Sequence, residues 1–476
     1  MNEPLNIGSH DLPVTDELAA FMRTGWGPAR RDDVRARPIA PWAAKRRAAL
    51  AARFPGERLV IPSGTLKVRS NDSDYRFRPH SAYSYLTGAG ESDDVLVIEP
   101  SGEAVLYVRP RAPREEGQEF YRDRRYGEFW AGPRPDLAEA EELYQLRCAH
   151  IRDLELEGRP ARVLRGVDPS VDASVDASVR ASVNVRGAAG DGDAELASFL
   201  SEMRLVKDEW ELGELRHAVD ATARGFEDVV RALPQALGHP RGERYLEGVF
   251  GLRARLEGNA TGYDSIVAAG SHACVLHWIR NDGRLSPGDL LLMDAGVEAD
   301  TLYTADVTRT IPLSGRFSPI QRQAYELVYE AQTAAIATLR PGARFRDFHL
   351  AAMRVICDGL RDWGLLKGST DSLMDSGLYR RYTLCSSGHM LGLDVHDCAR
   401  ARAEVYLDGV LEEGHVLTVE PGLYFQPDDL TLPEELRGIG IRIEDDLVVT
   451  AGGATLLSGG LPRHPDEIES WMATLA

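Results

Sequence analysis

The second half of this sequence repeatedly ends a short apolar run on an acid or a histidine, and no other feature constrains the fold as much. Leu290-Leu-Leu-Met293 leads into Asp294, Tyr303-Thr-Ala into Asp306, Val416-Leu-Thr-Val into Glu420, and Ile441-Arg-Ile into Glu444. Between them, Gly388-His389-Met-Leu-Gly-Leu-Asp-Val-His396 carries two histidines. Apolar runs this short read as buried strands. Strand alternation puts Ile441 and Ile443 on one face and Arg442 with Glu444 on the other, and sets Glu420 opposite Leu417 and Val419. Taken singly, each residue has a plain reading. An Asp after a strand commonly caps a turn or helix, Glu420 before Pro-Gly opens a turn, and Glu444 in an acidic triplet is solvated. Taken together, they place carboxylates at buried strand ends, where an unpaired charge is very unfavourable. Arg442 and Arg309 are the cations near them in sequence. Two divalent ions balance four carboxylates charge for charge, and a carboxylate-rich set with one imidazole suits Mn²⁺, with Zn²⁺ or Co²⁺ as alternatives. Two such ions bridged by carboxylates and a hydroxide form a hydrolytic centre.

Composition works by exclusion. The 476 residues carry a net charge of −19, which argues against nucleic acid as a partner, because phosphate binding needs clustered Lys and Arg. The same balance disfavours an anionic membrane surface, and no run approaches the ~18 apolar residues of a membrane span. The first residues, MNEPLNIGSHDLPVTDEL, lack the apolar stretch of a signal peptide, and none of the five cysteines forms a CxxC pair. Reduced thiols in a cytosol are the expected setting.

The length allows about three domains, or two larger ones. Residues 1–35 read as a polar arm. Regular structure is expected from Pro41, with a helix over WAAKRRAALAARF, strands in RLVIPSG and DVLVIEPSGEAVLYV, and a hairpin at Pro100-Ser101-Gly102. The near-repeat Val171-Asp-Ala-Ser, Val175-Asp-Ala-Ser, Val179-Arg-Ala-Ser reads as a surface segment, and the Gly/Asp-rich stretch at 188–193 as a domain boundary. A long helix follows, with Asp208 and Glu211 forming a capping box and an apolar stripe through Leu212, Leu215, Val219, Phe226, Val230 and Leu233. Pro234 is expected to end it. Beyond residue 265, strands alternate with helical stretches at 321–339 and 345–363. The expected divisions are an arm at 1–35, an α/β domain at 36–198 and a second domain at 199–476.

The HxLGLDVH segment, VLTVEPGLY at 416–424 and GIGIRIEDD at 438–446 resemble the pita-bread metallopeptidases, the family of methionine aminopeptidase, prolidase and aminopeptidase P. The resemblance runs from about residue 41 to the end. It implies an α/β (α+β) architecture, with a creatinase-like N-terminal α/β domain ahead of a pita-bread catalytic domain. It also implies that Asp294, Asp306, His389, Glu420 and Glu444 hold two divalent ions, most commonly Mn²⁺. The stretch from Arg69 to Gly88 resembles the N-terminal domain of aminopeptidase P. That implies removal of the first residue from peptides with proline second, in a homodimer or homotetramer.

The roles the resemblance implies are specific. A hydroxide shared by the two ions attacks the carbonyl before proline. Glu420 acts as general base and passes the proton toward the leaving nitrogen. His396 and His277 donate hydrogen bonds to the carbonyl oxygen as it becomes anionic. The substrate amine is expected near a metal and Asp294, Arg442 is expected to hold ligands in place, and Tyr263 reads either as packing or as lining the pocket for the first side chain. His272, His349 and His415 are expected to have no chemical role. Two positions depart from the family pattern. Asp294 and Asp306 are 12 residues apart, one more than usual, with the extra residue assigned to the turn in EADTLY. Asp300, the alternative ligand, lacks the following Val-Thr-Arg-Thr. Cys385 stands where aminopeptidase P usually has a histidine and reads as a small packed residue. The competing readings are a prolidase restricted to X-Pro dipeptides, a non-catalytic pita-bread binding module and a creatinase-like metal-independent hydrolase. The last two conflict with an intact ligand set.

Overall fold

The computed structural model describes residues 12–27, 34–181 and 189–475, and the chain divides into two compact units, Met1–Leu200 and Ser201–Ala476. Among the described residues, no helix is long and apolar enough to cross a membrane.

The first unit is built on a five-stranded mixed sheet in the order Arg147–His150, Ala104–Val108, Val95–Ile98, Leu59–Pro62, Arg162–Val163. The two central strands, LVIP and VLVI, are buried at every position, as expected of strands covered on both faces. The expected hairpin joins Val95–Ile98 to Ala104–Val108, closed by the Glu99 amide on the Glu103 carbonyl at 2.8 Å. Three sequence expectations are corrected here. Regular structure begins before Pro41, at the helix Asp16–Phe21, where Thr15 Oγ1 accepts the Leu18 amide at 3.2 Å. The rest of the arm, at 1–11 and 28–33, lies outside the described residues. The Val-Asp-Ala-Ser repeat is a packed helix, Pro169–Ala181, rather than a surface segment. A period of four keeps successive valines on one helix face, and Val171 and Val175 bury against Val60, Val95, Val97 and Val163 of the sheet. The side chain of Val179 lies outside the described residues. The stretch read as a boundary is partly undescribed at 188, and from Ala189 it is the start of the helix Ala189–Glu202. Its glycines lower helix propensity, but Leu196 and Leu200 are fully buried and tertiary packing outweighs the local preference.

The second unit runs helix pair then strands, twice over. Glu209–Leu237 and Gly242–Glu257 precede the antiparallel sheet Val307–Pro312, Leu290–Ala295, Ile266–Ala269. Pro319–Ile336 and Asp347–Asp362 precede the sheet Val416–Val419, Asp445–Thr450, Gly453–Leu456 and the ribbon Gly422–Tyr424 with Gly440–Arg442. The capping box at Asp208 is present, with Asp208 accepting the Glu211 amide at 3.0 Å. The long helix continues past Pro234 to Leu237, because burial of Leu233 and Ala236 holds the last turn despite the missing N–H. Both principal sheets turn apolar faces into one continuous core, and their strand ends carry the acids singled out above.

Candidate active site

Register explains how the first two acids meet. Leu290–Ala295 pairs antiparallel with Val307–Pro312 so that Asp294 lies opposite Thr308. Asp306 is two residues before Thr308 and therefore shares its face. The 294–306 interval contains a tight turn where the Ala299 amide donates to the Tyr303 carbonyl and Leu302 takes a φ of 72°. Asp300 is exposed in that turn, while Asp306 is buried.

The second half brings the remaining groups. Residues 387–391 run beside Val416–Val419: the Thr418 amide donates to the His389 carbonyl at 2.8 Å and the Glu420 amide to the Ser387 carbonyl at 2.8 Å. Only glycine fits at 388, since a Cβ there would collide with the Thr418 carbonyl. Glu444 follows the strand Gly440–Arg442 and is pinned from both ends. Its amide donates to the Thr308 carbonyl at 3.1 Å, and its Oε2 accepts the Thr308 hydroxyl at 2.6 Å.

The side chains converge. His389 Nε2 lies 3.2 Å from Asp306 Oδ2 and 3.6 Å from Glu420 Oε1. Asp306, His389 and Glu444 offer ligand atoms all within 4.8 Å of one another. The Tyr263 hydroxyl lies 2.6 Å from Asp294 Oδ1 and 2.5 Å from Asp306 Oδ1. Arg442 is buried among them, donating to Asp294 Oδ2 at 2.5 Å, Thr308 Oγ1 at 3.1 Å and the Tyr424 hydroxyl at 2.9 Å. The nine residues expected at the site, including His277 and His396, all border one cavity of about 310 Å³. Leu276, Ile266 and Val395 supply apolar wall. The His396 ring meets the His389 ring edge-on, with centroids 4.4 Å apart.

Burial dominates the electrostatics. It raises the Asp294 carboxyl despite the Arg442 charge, pushes Glu420 up to about 7, and holds Glu444 well above the usual carboxylate range with help from Asp306. Burial lowers His389, but its hydrogen bond to Asp306 and the Glu420 charge outweigh it and bring the imidazole to about 9. Burial and the neighbouring His389 charge lower His396. The tyrosine hydroxyl has one proton and two carboxylates to answer, so the cluster holds more acceptor oxygen than its own donors satisfy. A hard divalent cation fits that deficit and that donor set.

Some placements differ from expectation. Tyr263 touches two of the acids directly instead of only lining a side-chain pocket. Cys385 is exposed on the cavity wall and not packed. Arg309 turns away from the cavity to Asp445 Oδ1, at 2.7 Å, and to nearby carbonyls. Glu444 is buried, in line with its reading as a strand-end carboxylate, and Asp445 and Asp446 are buried with it. Asp446 Oδ2 accepts the Asp306 amide at 3.1 Å, a support that the sequence signalled only by running three acids into an apolar strand. His272 and His349 make structural contacts, with Glu243 and Ser387 respectively.

Known proteins resemble this chain along nearly its whole length. The sequence matches metallopeptidase family M24 over residues 213–451 and the aminopeptidase P N-terminal domain over residues 43–157. It is 56% identical over 470 residues to Xaa-Pro aminopeptidase 1 of Streptomyces coelicolor, covering 97% of this chain and 93% of that one. The structure of Pseudomonas aeruginosa aminopeptidase PepP superposes with a TM-score of 0.80 at 34% identity, over 93% of this chain and 99% of that chain. Zinc-substituted Escherichia coli aminopeptidase P in complex with product superposes with a TM-score of 0.79 at 31% identity, over 92% of this chain and 99% of that chain.

Proposed function

The chain belongs to metallopeptidase family M24, and from that premise we propose that it is an Xaa-Pro aminopeptidase, releasing the N-terminal residue from peptides with proline in second position. The observation that carries this reading is the convergence of Asp294, Asp306, His389, Glu420 and Glu444 beside a cavity walled by His277 and His396. Those five residues would hold two divalent ions. Manganese suits the oxygen-rich donor set best, with zinc and cobalt to be tested beside it. When bound, the ions supply a hydroxide nucleophile near neutral pH and polarise the scissile carbonyl.

The protein groups do the rest. Glu420 takes up the proton and delivers it to the proline nitrogen, which leaves poorly until protonated. His396, its pKa lowered by burial, is a neutral N–H donor, and with His277 it faces the oxygen that gains charge. Arg442 and Tyr263 orient Asp294 and Asp306 through the hydrogen bonds above. The same reading includes a homodimer or homotetramer, from the family resemblance, and a cytosolic setting, which five free thiols support.

The test uses purified protein supplied with Mn²⁺ and an X-Pro-Pro tripeptide. Glu420→Gln is expected to lose roughly 10²–10⁴-fold in kcat, the range for a positioned acid–base group. Turnover at the parent rate would remove Glu420 from the mechanism. Running an X-Pro dipeptide in parallel separates this activity from that of a prolidase.

A further inference from the structure

Three residues outside the cavity form a buried ion cluster directly behind the loop that presents His396. Asp397 Oδ2 accepts Lys207 Nζ at 3.1 Å, and Asp397 Oδ1 accepts Arg204 Nε at 3.0 Å and the Cys398 amide at 2.9 Å. The Lys207 side chain is 0% exposed, that of Asp397 1% and that of Arg204 7%. Lys207 also donates to the Arg204 carbonyl, and Arg204 Nη2 reaches Asp394 Oδ2 at 3.2 Å. A cluster of this kind is weak evidence for stability, because desolvating the ions offsets most of their attraction. It does fix geometry.

That geometry bears on the site, in a way that rests on the role given to His396 above. Among the described residues, the His396 ring makes no hydrogen bond. Its position depends on its backbone and on the edge contact with His389. The backbone is held by its neighbour. The Asp397 amide donates to the Met390 carbonyl at 2.9 Å, closing the loop from His389 to His396, and the Thr304 amide donates to the Gly392 carbonyl at 3.0 Å. Only glycine fits at 392, because a Cβ would collide with the Asp397 carboxylate and crowd Lys207 Cε. The loop is thus shaped around the ion cluster, and the Thr304–Gly392 hydrogen bond ties it to the segment leading into Asp306.

We infer that Lys207 and Arg204 are positioning residues that hold His396 over the cavity through Asp397. Misplacing a catalytic group by about 1 Å can cost 10²-fold in rate, so the effect is measurable. The experiment is a double-mutant cycle on the Mn²⁺-loaded protein with the tripeptide substrate, combining Lys207→Met with His396→Ala. Lys207→Met alone is expected to lower kcat about 10–100-fold, with KM within about 3-fold and the bound metal unchanged. In the His396→Ala background, it is expected to lower kcat by less than about 2-fold, since the positioned group is gone. An equal loss in both backgrounds, a loss that follows metal content, or no loss in the parent would overturn the inference while leaving the proposed function intact. Full activity of His396→Ala alone would instead remove the role of His396, and the inference with it. If Lys207→Met does not fold, Arg204→Lys takes its place in the same cycle, with the same outcomes deciding.

Discussion

Glu444, Asp445 and Asp446 are consecutive buried acids, and each is answered by a different group. Glu444 takes the Thr308 hydroxyl, Asp445 takes Arg309 with Gln332 and Ser458, and Asp446 takes the Asp306 amide. An acidic triplet taken by itself suggests solvated charges, but burial requires each acid to find a donor. His415 shows the same principle with the opposite sign. It is 3% exposed, and burial, helped by the Lys207 charge, brings its pKa to about 4 from 6.5. A histidine depressed in the folded state contributes stability that is present above its unfolded pKa and is lost as pH falls toward the folded value. Between pH 7 and 4.5 that contribution should fall by about 2–3 kcal/mol. Denaturant unfolding at both pH values should show the loss in the parent and a smaller one in His415→Gln. An equal pH dependence in the two proteins would contradict the assignment.

At the level of elements, the loop 270–283 that carries His277 is closed by one buried carboxylate. Glu243, in the first turn of Gly242–Glu257, accepts the Ala269 amide at 2.8 Å, the Gly283 amide at 2.6 Å, Trp278 Nε1 at 2.9 Å and the hydrogen on His272 Nδ1 at 2.7 Å. His272 in turn stacks on Trp278, with ring centroids 3.8 Å apart. Glu243→Gln keeps the size but sets an amide N–H among donors, which should cost roughly 2–3 kcal/mol and loosen the loop. Hydrogen exchange at the Ala269 and Gly283 amides should accelerate. Unchanged exchange would show that the loop is held elsewhere. Nothing in the sequence around Glu243 marks it, because its partners are 26 to 40 residues away. The strands LVIP and VLVI, by contrast, were legible from apolar continuity, and the capping box from its spacing. The Val-Asp-Ala-Ser helix was not, because a period of four marks a helix face only when a surface exists to bury it.

For the molecule as a whole, the second unit gathers raised carboxyls at the junction of its two sheets, and cation binding should be coupled to its stability. Binding that favours the folded state stabilises by mass action, so chelation is expected to lower the unfolding temperature and Mn²⁺ to restore it. Calorimetry on chelated and reloaded protein measures this, and identical transitions would argue that the acids do not hold an ion. The sequence by itself determined the strands, the long capped helix and the residue types of the site, because local periodicity, capping and the solvation cost of charge operate over a few residues. Only the tertiary structure decided that Tyr263 bridges two acids, that Cys385 is exposed on the cavity wall, and that Lys207 and Asp397 meet behind His396. Those are contacts between residues 31 to 190 positions apart or the product of turn geometry, and side-chain reach across sheets is fixed by packing rather than by any pattern along the chain.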